Sequence, residues 1–240
     1  MELQRLDRLL VACGLCESRA KALEAIAAGR VRLQGRVLDK PAQRIPVAAA
    51  LEVAPARTWV SRAAAKLLFA LSAFEVEVAG ETCLDVGAST GGFTEVLLAH
   101  GAALVFAVDV GRAQLHSRLR ADGRVVSLEG QDARSLQAGQ LKPAPRVVVC
   151  DASFIGADKV LARPFALAAR DATAVVLIKP PYEAGPGLVV TDALAPQIAA
   201  AAAARLDGLW GFRLRALRES PVRGADGALE FIAHLAREAA

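Results

Sequence analysis

Thr82-Cys-Leu-Asp-Val-Gly-Ala-Ser-Thr-Gly-Gly-Phe93 opens as a short apolar run rich in strand formers, Thr82–Val86, and breaks into a loop holding Gly87, Gly91 and Gly92. A helical pattern begins at Phe93, so the stretch predicts a strand feeding a glycine-rich turn that opens a helix. In open α/β sheets such a turn receives nucleotide-like ligands. Glycine lets backbone N–H groups come close, and the helix N-terminus is electropositive.

The identity of the ligand follows from what the loop lacks. A phosphate cradle requires Gly-x-x-x-x-Gly-Lys-Ser/Thr or Gly-x-Gly-x-x-Gly, and neither occurs. Asp85 instead puts a carboxylate at the strand end, which repels a pyrophosphate and suits a cationic ligand. The next apolar run, Leu104–Val108, ends in Asp109, about 20 residues past the turn, where nucleotide sites carry a ribose-binding acid. Asp85 facing an amino-acid ammonium and Asp109 facing a ribose diol describe S-adenosylmethionine better than NAD or ATP. The expected cofactor residues are Asp85, Gly87, Ser89, Thr90, Gly91, Gly92, Phe93 and Asp109, joined by Asp132 beyond the run Val125–Leu128. The competing reading is a turn that simply joins strand to helix. The second acid and the catalytic candidates below weigh against it.

Working outward, apolar runs at Leu104–Asp109, Val125–Leu128, Arg146–Cys150 and Ala174–Ile178 alternate with helical segments, as a doubly wound parallel sheet requires. Carboxyl ends of parallel strands line the ligand crevice. Asp85, Asp109, Asp151 and Lys179 should therefore face one cleft. A last apolar run, Leu229–Leu235, carries Glu230 just after the turn signal Asp226-Gly227. Glu230 either reaches the same rim or is a surface glutamate beside a hairpin. Upstream, Ser61 is a candidate cap that sets Lys66 just over one turn into a helix with Leu67, Phe69, Ala70 and Phe74. A helical lysine ordinarily lies on a solvated face.

The first 45 residues read as a separate module. Leu3, Leu6, Leu9, Leu10 and Cys13 recur at helical spacing before Gly14, and Ser18 caps a second helix with Ala22, Leu23 and Ile26 inward, ended by Gly29. Val31-Arg-Leu-Gln-Gly-Arg-Val-Leu then alternates like a hairpin about Gln34-Gly35. Residues 46–58 have the composition of a linker or a closing strand. Nine lysines and arginines against six carboxylates give residues 1–56 a charge of +3, out of +4 for all 240 residues. Phosphate-backbone binding would use such a surface, and so would an ordinary solvated helix pair; charge alone does not choose.

No run of about 18 uncharged apolar residues occurs, and Met1-Glu-Leu-Gln-Arg-Leu-Asp-Arg lacks a secretory core. A cytoplasmic protein with no membrane partner is expected. Cys13-x-x-Cys16 has no second ligand pair for zinc, so no metal site is assigned and packing is the expected role of Cys13, Cys16, Cys83 and Cys150. His100, His116 and His234 are scattered and carry no assigned chemistry.

Two lysines and two carboxylates beside a methyl donor suit transfer to a hydroxyl. A sulfonium needs no activation, so the protein must align the acceptor and remove its proton. Alignment can supply about 7–11 kcal/mol and a positioned base about 10²–10⁴-fold. A free lysine, with pKa about 10.4, is mostly charged at neutral pH; a neighbouring cation favours the neutral amine and neighbouring carboxylates oppose it. Lys179 is the expected base toward a ribose 2′-OH, with Lys66, Asp151 and Glu230 orienting it and balancing charge. Lys179-Pro-Pro-Tyr is also similar to the Asn/Asp-Pro-Pro-Tyr motif of amino-group methyltransferases. Protonated lysine has no acceptor for an exocyclic amine, and this motif follows the fifth strand of the sheet, not the fourth.

Gly14-Leu-Cys-Glu-Ser-Arg-Ala-Lys-Ala through Ala28-Gly-Arg-Val-Arg-Leu-Gln-Gly-Arg-Val37 resembles the S4-type RNA-binding module over about forty residues, with Gln34 where Asn is usual. That resemblance implies RNA contacts from Arg5, Arg19, Lys21, Arg30, Arg32 and Arg36. With Val60-Ser-Arg-Ala-Ala-Ala-Lys-Leu67, Leu84-Asp-Val-Gly-Ala-Ser-Thr-Gly-Gly-Phe-Thr94, Asp151-Ala-Ser-Phe-Ile155, Lys179-Pro-Pro-Tyr-Glu-Ala-Gly185 and Leu229-Glu-Phe231, nearly the entire chain resembles the TlyA family, often labelled hemolysin A. That family joins an S4-type domain to an FtsJ-like methyltransferase. The resemblance implies a doubly wound, Rossmann-like α/β methyltransferase domain over residues 57–240 and an α+β RNA-binding domain with its linker over 1–56. It further implies S-adenosylmethionine-dependent 2′-O-methylation of ribosomal RNA, on cytidines, and a catalytic set at Lys66, Asp151, Lys179 and Glu230. Ribosomal RNA or ribosomal subunits are the implied partners. The chain departs from the family at Ala63-Ala64, where Gly-Gly is usual, at Pro181-Tyr182, where Gln-Phe is usual, at Ala228, where Asn is usual, and in a shorter loop around residues 185–192. An RNA-binding or assembly protein that keeps the fold with little catalysis is the other reading. A pore-forming hemolysin has no apolar span to support it.

Overall fold

The computed structural model describes residues 3–27, 29–54, 59–185 and 187–237. It divides into two compact units, Met1–Thr58 and Trp59–Ala240.

In the first unit, β1 (Leu3–Arg5) leads into α1 (Leu6–Ala12), followed by α2 (Arg19–Ala27), β2 (Val31–Leu33), β3 (Arg36–Val37), β4 (Arg44–Pro46) and β5 (Leu51–Val53). β1 pairs antiparallel with β4, and β3, β2 and β5 form a three-stranded sheet. The β2–β3 hairpin turns at Gln34 and Gly35, both at positive φ (51° and 78°), as the tightest two-residue turns demand. Ser18 Oγ accepts the Lys21 N–H at 3.3 Å, capping α2. Three sequence expectations are corrected. Leu3 belongs to a strand and is exposed, so the first helix starts at Leu6; Leu23 is also exposed, and Ala25 faces the core in its place. Cys13 is exposed too, so packing does not account for it. The core consists of Leu6, Leu9, Leu10, Ala22, Ala25, Ile26, Val31, Leu38, Ile45 and Leu51.

The second unit starts with α3 (Ala64–Ala73) and β6 (Thr82–Val86). α4 (Gly92–Ala99), β7 (Leu104–Asp109), α5 (Ser117–Arg120), β8 (Val125–Glu129), β9 (Val147–Cys150) and α6 (Ala157–Leu167) follow in turn. The unit ends with β10 (Thr173–Ile178), α7 (Pro180–Glu183), α8 (Ala195–Leu206), β11 (Phe212–Glu219) and β12 (Phe231–Arg237). One seven-stranded sheet runs β11-β12-β10-β9-β6-β7-β8. β8, β7, β6, β9 and β10 are mutually parallel. β12 is antiparallel to both of its neighbours. The five strands that the sequence pattern predicts as parallel are parallel, and β11 and β12, to which it assigns no direction, make the sheet mixed. Alternation along each strand splits the core between two faces. Leu84, Val86, Val148 and Cys150 look toward α6 and α8, whereas Cys83, Val105, Val147 and Val149 look toward α3 and α4. The reversal at β12 matters for chemistry. Its register sets Phe231 opposite Ile178, so the start of β12 lies at the carboxyl edge of β10, beside Lys179.

Candidate active site

The site is built on the carboxyl ends of β6, β7, β9 and β10. Leaving β6, the chain turns at Gly87 (φ +82°), whose N–H donates to Val108 O at 2.9 Å. A Cβ on Gly87 would stand 2.9 Å from the backbone N and Cα of Ala152. Only glycine allows the β6 loop to pass the β9 loop this closely. Gly91 (φ +97°) caps α4, and a Cβ there would meet the Leu115 and Leu119 side chains at 2.8 and 2.3 Å. These glycines serve close packing within the chain itself, a requirement distinct from admitting a ligand.

Beside the turn lies a cavity of about 580 Å³ lined by Gly87, Ser89, Asp109, Asp132, Asp151 and Ser153, among others. Its size is that of a small-molecule site. A smaller one, about 170 Å³, adjoins it along Gly87, Ser89, Thr90, Gly92, Phe93, Asp151 and Lys179. Asp109 arranges the rim: one carboxylate oxygen accepts the Ser89 N–H at 2.8 Å and the other the Gly111 N–H at 2.7 Å. Asp132 is held by Arg134, whose guanidinium lies 2.6 Å from Asp132 Oδ2, and its carboxyl is thereby kept below the usual range.

Two of the nine expected cofactor residues line neither cavity, namely Asp85 and Gly91. Strand alternation explains Asp85. Leu84 and Val86 face α6, so Asp85 shares the opposite face with Cys83 and points under α4. It is fully buried, accepts the Thr94 hydroxyl at 2.7 Å, and leaves Oδ1 without a hydrogen-bond partner among the described residues. Burial pushes its pKa up to about 7 against the opposing Thr94 hydrogen bond. The sequence-based picture of Asp85 facing an ammonium is therefore corrected to a buried group beneath the loop.

The four catalytic candidates fall into two touching pairs. Lys66 Nζ lies 2.5 Å from Glu230 Oε2, with side chains 9% and 6% exposed, so the pair is buried. Lys66 is in the first turn of α3, because the helix starts only at Ala64 and Ser61 lies before it, its Oγ accepting the Ala63 N–H at 3.1 Å; its side chain is buried, not on a solvated face. Burial raises the Glu230 pKa, and Lys66 opposes the rise. The second pair is Lys179 with Asp151. Lys179 Nζ donates to Asp151 O at 3.1 Å and to Ser153 Oγ at 2.7 Å. It also sits 2.7 Å from Asp151 Oδ1, but out of line for a hydrogen bond, so that buried oxygen keeps no such partner. Lys66, Ser153, Lys179, Tyr182, Asp226 and Glu230 surround a third cavity of about 240 Å³. Ser153 borders all three cavities; sequence reasoning missed it, although it stands within Asp151-Ala-Ser-Phe-Ile. Phe154, also unassigned from sequence, is 87% exposed and at positive φ (68°), its ring 4.9 Å from that of Tyr182.

In the first unit the expected RNA contacts are largely engaged internally. Arg5 and Arg19 both bind the buried Asp7, at 3.0 and 2.9 Å, and hold its carboxyl well below the ordinary range. Lys21 pairs with Glu24 at 2.8 Å, Arg30 donates to Ala54 O and Arg32 to Gly35 O, while Arg36 is exposed on β3. Among the described residues no cluster of His, Cys, Asp and Glu is placed to hold a metal ion, and no helix is long and apolar enough to cross a membrane.

Compared with known proteins, the FtsJ-like methyltransferase model matches residues 59–237, which carry the three cavities and both lysine–carboxylate pairs. The chain belongs to the FtsJ-like methyltransferase family. The S4 domain model matches residues 4–49 of this FtsJ-like protein, as expected from Gly14–Val37. It is 46% identical to the 16S/23S rRNA (cytidine-2'-O)-methyltransferase TlyA of Mycobacterium tuberculosis, over 95% of this chain and 87% of that protein. Hemolysin A of Brachyspira hyodysenteriae is 38% identical, covering 96% and 98%. A solved structure from Streptococcus thermophilus, named as a hemolysin, superposes with a TM-score of 0.71 at 34% identity, covering 99% of this chain and 89% of its own. The TlyA resemblance read from the ordered motifs is therefore correct.

Proposed function

We propose that the chain transfers a methyl group from S-adenosylmethionine to the 2′-hydroxyl of a cytidine in ribosomal RNA, in the cytoplasm. The observation that carries this reading is the convergence of Lys66, Asp151, Lys179 and Glu230 on one rim, where Lys179 separates the cavities beside the glycine turn from the third cavity. The fit to the cofactor rests on that larger cavity and on the two acids Asp109 and Asp132 along it. When bound, S-adenosylmethionine supplies an electrophilic methyl that leaves its sulfur neutral.

Lys179 removes the proton. A neutral lysine amine has two N–H donors and one lone pair. Asp151 O and Ser153 Oγ take both donors, and the lone pair, beside Asp151 Oδ1 at 2.7 Å, would meet the ribose O2′–H. With the methyl donor bound, Lys179 Nζ would take the proton that the acceptor O2′ gives up on methylation. The Asp151 carboxylate, 2.7 Å away, balances the new charge. Lys66 and Glu230 neutralise one another and wall the acceptor cavity without adding net charge beside the base.

The test is label transfer from S-adenosylmethionine to ribosomal subunits from a strain lacking the gene, with nucleotide mapping. Ribose-linked label that falls by about 10²–10⁴-fold in Lys179→Ala is the expected result. Binding of subunits without any transfer would sink this reading in favour of an assembly protein; that alternative is motivated by the Ala63 methyl, which lines the smaller cavity.

A further inference from the structure

Glu183 ends the single turn of α7, four residues after Lys179, and its side chain is only 2% exposed. A buried carboxylate must be satisfied, and two groups satisfy this one. Its Oε1 accepts the N–H of Ala157, the first residue of α6, at 2.8 Å, and its Oε2 is paired with Arg205 of α8, which also reaches Asp158 at 3.3 Å. A Cβ on Gly156 would come within 3.3 Å of Glu183 Oε2.

These bonds matter because of what they join. The six residues 151–156 form no regular structure, yet they carry Asp151 and Ser153, the partners of Lys179. A one-turn helix cannot hold its own shape either. The two irregular segments meet at three points: Lys179 Nζ on Asp151 and Ser153 at one end, Glu183 on Ala157 at the other, and the Phe154 and Tyr182 rings between them. We propose that Glu183 is a positioning residue for methyl transfer, fixing the loop 151–156 and the Lys179 segment against each other so that the free direction on Nζ points at the acceptor hydroxyl. This rests on the reading of Lys179 as the base.

Full-length Glu183→Ala and Glu183→Gln are compared with wild type and Lys179→Ala for kcat, for KM toward S-adenosylmethionine, and for the pH–rate profile. A displaced reacting group costs about 10- to 100-fold, so Glu183→Ala should lose that much in kcat with KM within about twofold, and shift the limb of the profile that Lys179 controls. Glu183→Gln keeps an oxygen acceptor for Ala157 and should restore kcat to within about threefold. Ala157→Pro provides a second route if Glu183→Ala does not fold. Proline is tolerated at the first helical position, removes the donor and puts its Cδ where the Glu183 carboxylate now sits, so it breaks the contact from the other side, and Gly156 already has the extended ψ of 140° that a following proline favours. It should reproduce the kcat loss and the shifted profile. An active wild type with an inactive Lys179→Ala, but unchanged kinetics in Glu183→Ala or Ala157→Pro, overturns the role of Glu183 alone. So does a kcat loss that merely tracks the folded fraction, with the profile unmoved and no rescue by glutamine. Lys179→Ala with full activity would overturn the underlying assignment instead.

Discussion

Asp85 and Gly87 sit two positions apart and show how differently single residues are constrained at this turn. Asp85 is buried with a pKa pushed up to about 7, whereas an unfolded aspartate titrates near 3.9. Between those values the folded chain keeps a proton that the unfolded chain has released, so this group's stabilising contribution is full below about pH 4 and declines as pH rises to 7. Asparagine mimics the protonated form. Melting curves from pH 5 to 8 should therefore show Asp85→Asn gaining on wild type as pH increases; a constant difference would mean that Asp85 is charged throughout. At Gly87 the constraint is steric, because positive φ and the Ala152 backbone at 2.9 Å both exclude a side chain. Gly87→Ala should cost about 1–3 kcal/mol in chemical denaturation and weaken S-adenosylmethionine binding, since Ala152 must move and takes Asp151 with it.

At the scale of elements, the Lys66–Glu230 pair joins the start of α3 to the start of β12 across 164 residues of sequence. Removing one partner of a buried pair strands the other charge, so Lys66→Met or Glu230→Gln should each destabilise the chain by about 3 kcal/mol. Lys66→Met combined with Glu230→Leu should recover most of that stability while leaving methyl transfer impaired; a double variant no more stable than the singles would show that the pair's cost is not electrostatic. The same pair marks the limit of reading elements from sequence. Strand, turn and helix around Thr82–Phe93 were legible because apolar periodicity and glycine punctuation are local signals. That Lys66 is buried was not legible from α3 itself, since the carboxylate that permits it lies in the far part of the chain; only the family pattern pointed to it. Nor does alternation in Leu229–Leu235 encode direction, so the sequence left open how β12 pairs. The inward turn of Asp85 was available from the pleat of β6, whose even and odd residues must look to opposite faces.

Over the whole molecule, each unit has a core of its own. Residues 59–240 produced alone should unfold cooperatively and bind S-adenosylmethionine with unchanged affinity by calorimetry, but bind ribosomal RNA more weakly and with a shallower dependence on log salt concentration, because fewer phosphates are neutralised. An unchanged salt slope would remove the first unit from RNA binding. Charge counting flagged that unit but could not tell which arginines are committed, and Asp7, fully buried, engages two of the six residues assigned to RNA. The strand order has a further effect on how the protein is made. β12 follows β10 and β11 in the chain, yet it inserts between them in the sheet. While the chain is still emerging, the edge of β10 stays bare and Glu230 is absent from its place beside Lys66. A chain that has not yet placed β12 between β10 and β11 therefore cannot assemble the proposed catalytic set, so folding of this last-paired strand and completion of the site are one event.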